Sequence, residues 1–92
     1  DDWRTAWSAA NWAFDNNAAP DEAQQWAAKS LATSKNPRTL QLNARIAQKA
    51  GKQKEAVAQL TEAIALAKAD KEFSKELTAI YEKSLAEWTA KK

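Results

Sequence analysis

Apolar side chains recur along this chain at helical spacing. Trp3, Trp7, Ala10 and Phe14 lie 4, 3 and 4 positions apart, which puts them on one face of a helix predicted over residues 3–16. Asn16 and Asn17 end it, because Asn tolerates the left-handed conformation that a helix exit requires. Pro20 opens a second helix over 20–34, where its missing N–H costs nothing, and Asp21 and Glu22 suit the positive end of the helix dipole. Its apolar face carries Ala23, Trp26, Ala27 and Leu31, with Ser30 among them. Asn36-Pro37 repeats the start signal for a third helix over 37–50, built on Leu40, Ala44 and Ala47. Gly51, the one glycine, ends that helix at a position where a positive φ is needed. A fourth helix over 53–69 follows through Ala56, Val57, Leu60, Ala63, Ile64 and Ala67. Asp70 then offers a cap for a fifth over 71–90, whose stripe is Phe73, Leu77, Ile80, Tyr81, Ser84, Leu85 and Trp88.

The pattern also repeats. Glu22-Ala23 recurs as Glu55-Ala56, and the same offset of 33 positions carries Trp7 onto Leu40, Ala27 onto Leu60 and Leu31 onto Ile64. A further step of 33 takes Leu40 to Phe73 and Ala44 to Leu77. A repeat of this length signals stacked supersecondary units, each burying its apolar face against the next. No glycine stands at Ser84, the counterpart of Gly51, so the fifth helix is expected to run on and close the stack.

Composition adds to the helical reading and removes alternatives. Alanine, lysine, glutamate and glutamine are abundant, and they lose little rotamer freedom in a helix. With no Cys and no His, the chain lacks a thiol nucleophile, disulfides, the common general base and the best zinc ligands. The carboxylates of Asp21, Glu22, Glu72, Glu76 and Glu82 read as solvated helix faces and dipole partners. No enzyme activity, cofactor or metal is therefore expected. No apolar run approaches the roughly 20 residues of a membrane-spanning helix. The chain contains no Met, so Asp1 is expected to follow processing or trimming, as in a fragment or a mature form. Its 92 residues suit a single domain over 1–92.

Net charge is only +2, but its distribution is uneven. Residues 1–34 hold five acids and two bases, whereas 35–54 hold six bases and no acid. A basic third helix results. It reads either as a solvated face or as part of a binding surface; nucleic-acid binding ranks lowest, because charge elsewhere is balanced and no recognition motif is present.

These features resemble the tetratricopeptide repeat family. Trp7, Ala10, Phe14 and Ala23 stand at the family's aromatic and small-residue positions, and Gly51 and Ala56 fit the second unit. Leu40, Asn43-Ala44 and Ala47 depart from it, so the second unit is a degenerate copy. The resemblance implies an all-α, right-handed α-solenoid fragment of five helices: two antiparallel helix hairpins and a C-terminal capping helix. Glu22-Ala23 with Trp26, and Asn36-Pro37, Leu40 and Gly51 with Glu55-Ala56, are also similar to helical C-terminal extensions of secreted bacterial proteins. That similarity implies an extracytoplasmic origin and a further domain ahead of this one.

In the tetratricopeptide family the first helix of each hairpin lines a concave groove. Carried over, the resemblance places Thr5, Ser8, Trp12 and Asp15 there, then Arg38, Gln41, Arg45, Gln48 and Lys49, then Lys71, Ser74 and Thr78. The implied function is a protein- or peptide-binding scaffold whose concave, basic groove holds an acidic or C-terminal segment of a partner. The alternative is a helical appendage packed against another domain of a longer parent chain. Trp12 lies off the apolar stripe of its helix and reads either as an exposed anchor for a partner or as a ring packed on a neighbouring segment. Trp3, Trp7, Trp26, Tyr81 and Trp88 are expected in the core, their rings filling space beside small alanines.

Overall fold

The computed structural model describes residues 2–90, which form an all-α fold of five helices. They are α1 (Trp3–Asp15), α2 (Pro20–Thr33), α3 (Pro37–Lys49), α4 (Gln53–Ala69) and α5 (Lys75–Ala90). α1 packs along α2, and α3 along α4. The two pairs meet where α3 lies against both α2 and α1, and α5 covers α4.

Local chemistry explains the boundaries. Asp2 caps α1 by accepting the Arg4 backbone N–H at 3.0 Å, and that bond holds its carboxyl below the ordinary carboxylate range. Asn36 caps α3 more completely: its Oδ1 accepts from the backbone N–H groups of Arg38 and Thr39, while Thr39 Oγ1 accepts from the Asn36 N–H. Asn17 and Gly51 take positive φ at the exits of α1 and α3. Ala19 does so too, at φ 42°, directly ahead of α2 and without a side-chain cap. A left-handed alanine costs roughly 1–2 kcal/mol, so this turn holds strain that its sequence does not announce.

The last helix departs from the sequence reading. Residues 71–73 form a turn, and α5 begins at Lys75. Asp70 Oδ1 accepts from the Glu72 N–H and the Asp70 carbonyl from the Phe73 N–H, closing that turn instead of starting a helix. Ser74 is the cap, its Oγ accepting from the Leu77 N–H at 3.2 Å. Ile80 also differs, because it is 55% exposed and not part of the buried stripe. It stands one position before Tyr81, roughly a quarter turn from that buried ring at 100° per residue.

Two apolar clusters fill the interior. One joins α1, α2 and α3 through Ala10, Ala27 and Leu42, with Trp7, Trp26 and Ile46 at its margin. The other joins Leu40, Ala44, Leu60, Ala63, Ile64 and Tyr81. Phe73, Leu77, Leu85 and Trp88 pack on the second cluster. Trp3, Trp7, Trp26 and Trp88 are only half-buried, whereas the fully enclosed positions are Ala, Leu, Ser30 and Thr39. Close helix approach over alanine leaves no central space for an indole, so the rings border the core instead of filling it.

Candidate functional site

Arg38, Gln41, Arg45 and Gln48 are spaced 3, 4 and 3 along α3, which places them in one row on that helix. The row lies between α1 and the start of α5. Arg45 extends to α1: Nη2 donates to Asp15 Oδ1 at 2.7 Å and Nη1 to Asn11 Oδ1 at 3.2 Å. Its guanidinium also stacks over the Phe14 ring, 4.9 Å from the centroid. Lys49, one turn further, donates to Asn17 Oδ1 at 3.1 Å and stands 5.3 Å from the same centroid. Phe14 is thus gripped by two cations, and the end of α1 is tied to the end of α3.

At the other end of the row, the Trp7 indole N–H donates to the Arg38 carbonyl at 3.1 Å. The Arg38 guanidinium lies over Phe73, 5.4 Å from its centroid, and Phe73 in turn lies 6.0 Å from Tyr81. Burial pushes the Tyr81 hydroxyl above its ordinary value, and the charges of Arg38 and Arg45 offset part of that rise. The Arg38–Arg45 row therefore runs beside the ring that joins α5 to the core.

The residues singled out from the sequence divide into three groups. Asp15, Arg38, Arg45 and Lys49 come together on the α1–α3 face, with half-buried Gln41 and Gln48 in the same row. Trp12, on α1, is 63% exposed, and the cations of this face stack on Phe14 and Phe73 and not on its indole. Lys71 does not join them: it sits in the turn ahead of α5, beside Lys68, Asp70, Phe73 and Lys75. Its displacement follows from the late start of α5. Ser74 and Thr78 are likewise engaged locally, Thr78 Oγ1 donating to the Ser74 carbonyl at 3.0 Å.

Two contributors were not legible in advance. Asn43 Nδ2 donates across the hairpin boundary to the Ala27 carbonyl at 3.0 Å and within α3 to the Thr39 carbonyl at 2.8 Å. Asn11 receives Arg45 and donates to Asp15 at 3.3 Å, orienting the carboxylate. Their sequence signal is weak, since a lone Asn beside an apolar stripe reads as any solvated residue.

Below this face lies a cleft of about 200 Å³ between the end of α1, the start of α2 and the end of α3. Phe14, Ala18, Pro20, Ala23, Ile46 and Lys49 line it. Among the described residues no group of three or more His, Cys, Asp or Glu side chains converges as a metal site, and no helix is long and apolar enough to cross a membrane. Comparison with protein-family models, with curated proteins and with solved structures finds no significant match for this chain.

Proposed function

We propose that this chain is a non-catalytic scaffold module of the tetratricopeptide type that receives a protein or peptide segment along its α1–α3 face. The observation that carries the reading is Trp12: a large ring on α1, 63% exposed and outside the core. An exposed indole contributes extensive contact area with few rotatable bonds, which makes Trp a frequent anchor of interfaces. Arg38, Gln41, Arg45 and Gln48 supply directional donors on α3, of which Arg38 is already held over Phe73, and Arg45 by Phe14, Asn11 and Asp15. Preorganised donors lose less entropy on binding.

The face carries three cations, Arg38, Arg45 and Lys49, against one carboxylate, Asp15. This excess suits a partner segment of mild acidity. It does not suit a polyanion, because Asp15 and Asn17 already occupy part of the donor capacity of Arg45 and Lys49. The test is a peptide array of mixed acidity probed with wild type and with a Trp12→Ala, Arg45→Glu double variant. Peptides captured by wild type are expected to be lost by the variant. Full retention of those peptides by the variant rejects the α1–α3 assignment.

A further inference from the structure

The connection between α4 and α5 gathers three lysines from three different places in the chain. Lys68 stands in the last turn of α4, Lys71 in the turn of residues 71–73, and Lys75 is the first residue of α5. Their spacing of 3 and 4 would align them on one continuous helix. Asp70 and Ser74 instead close a turn and a cap among them, and the three lysines line one open cleft of about 500 Å³. Buried Ala67 and half-buried Phe73 give that cleft an apolar side.

These lysines keep most of their donor capacity. Lys68 Nζ donates to Glu82 Oε2 at 2.7 Å, which fixes where the side chain stands and engages one of the three N–H bonds of its ammonium. Among the described residues neither Lys71 nor Lys75 has a carboxylate partner. Asp70, the one carboxylate lining the cleft, already accepts the Glu72 N–H through Oδ1. The α1–α3 face differs, because Arg45 is engaged by Asp15 and Lys49 by Asn17.

We propose that this α4–α5 cleft binds a phosphomonoester that carries an apolar body. The inference stands apart from the α1–α3 reading, which uses none of these three ammonium groups. Three ammonium groups brought in from a helix end, a turn and a helix start suit a tetrahedral group with three acceptor oxygens and nearly two negative charges. A carboxylate, with two oxygens in a plane and one charge, is matched better by the planar fork of an arginine, and no arginine lines this cleft. Three lysines against Asp70 leave an excess of positive charge for such an anion to neutralise. Ala67 and Phe73 supply apolar contact for the rest of the ligand, and the cleft falls within the roughly 300–1,000 Å³ of small-molecule sites.

The test is a titration of the full chain with phenyl phosphate, read by backbone amide NMR shifts at about 0.1 M ionic strength, where exposed charges act over only about 10 Å. Saturable shifts centred on residues 67–78 are expected. A Lys71→Ala, Lys75→Ala double variant is expected to bind at least about tenfold more weakly, having lost two of three charge-assisted donors. A Lys52→Ala, Lys54→Ala variant removes the same charge at the opposite end of α4 and is expected to stay within about twofold of wild type. All four lysines are exposed, so helical circular dichroism is retained in both variants. A lipid headgroup presents the same chemistry as a free ester, and a parallel sedimentation assay uses vesicles of phosphatidylcholine and phosphatidate in equal parts. Vesicle capture that is lost in the Lys71, Lys75 variant assigns the phosphate to a lipid; saturation by phenyl phosphate without vesicle capture assigns it to a free ester. Equal losses in the two double variants overturn the proposal by reducing the binding to general attraction. Shifts centred on Arg45 and Lys49 overturn it too, as does the failure of both probes to bind.

Discussion

The α1–α2 and α3–α4 hairpins carry matching sequence positions 33 residues apart, and they differ in what surrounds those positions. Leu42 in the second hairpin is 0% exposed because the first hairpin covers it, while the corresponding Ala9 is only half-buried. Arg45 is drawn into a salt bridge and a ring stack, while the corresponding Trp12 is free of both. A repeat unit of this size cannot bury its own apolar face, and the burial of each depends on its neighbour. The cores differ in the same sense. Leu40, Leu60 and Ile64 form the second hairpin's centre, where the first has Trp7, Ala27 and Leu31. Large aliphatic residues give the second hairpin, closed by α5, the greater share of enclosed volume.

The largest test of that difference is Leu60→Ala, which makes the second hairpin's centre as small as its counterpart Ala27. Leu60 is fully buried, so the expected cost is about 2–5 kcal/mol in denaturant unfolding. A cost under about 1 kcal/mol places the weight of the core elsewhere. Caps sharpen the contrast next. α3 starts on a reciprocal Asn36–Thr39 cap, whereas α2 starts on a left-handed Ala19 with none. Asn36→Ala is expected to lose about 1 kcal/mol and to leave its two backbone donors unpaired. Unchanged urea midpoints show that Pro37 alone suffices to start the helix. Arg45→Ala follows with a smaller effect. Its bridge to Asp15 is partly exposed, so stability is expected to drop by about 0.5 kcal/mol. A drop many times larger makes the α1–α3 tie structural and no longer a poised binding row.

A titration probes the closing helix. Tyr81 is the only tyrosine and is nearly enclosed between α5 and the core, with its hydroxyl pushed above its ordinary value of 10.0 by burial. Below that pH both folded and unfolded chains keep the proton, and the stabilisation from the buried ring is complete. As pH rises past 10.0 the unfolded chain ionises first, so stability declines toward the higher folded value. Absorbance near the phenolate band is expected to rise later in the folded chain than in urea. Coincident curves indicate that the packing of α5 on the core does not bury its Tyr81 ring.

Much of the fold was legible because helix signals in this chain are local. Pro20, Asn36-Pro37 and Gly51 act through backbone geometry within a turn of themselves, and α1, α2 and α3 each end one position before the bound read from the sequence. Asp70 misled for a physical reason. Its carboxylate offers the same acceptor to a turn as to a helix, and Ser74 supplies the competing cap four positions later. The site was less legible. Arg38 and Arg45 could be placed on one row from spacing, but not their stacks on Phe73 and Phe14, which depend on helices distant in sequence. The exposure of Ile80 had the same origin, since the phase of α5 against α4 is set by tertiary packing and not by its own stripe.

The central claim is that Arg45 of the second hairpin is engaged at the hairpin boundary while its counterpart in the first, Trp12, is open. Hydrogen exchange at the five indole N–H groups, resolved by NMR, tests it most directly. The Trp7 indole donates to Arg38 across the hairpin boundary and is expected to exchange slowly, while that of Trp12 exchanges at close to the rate of a free indole. Protection of Trp12 equal to that of Trp7 in the monomeric chain contradicts the account.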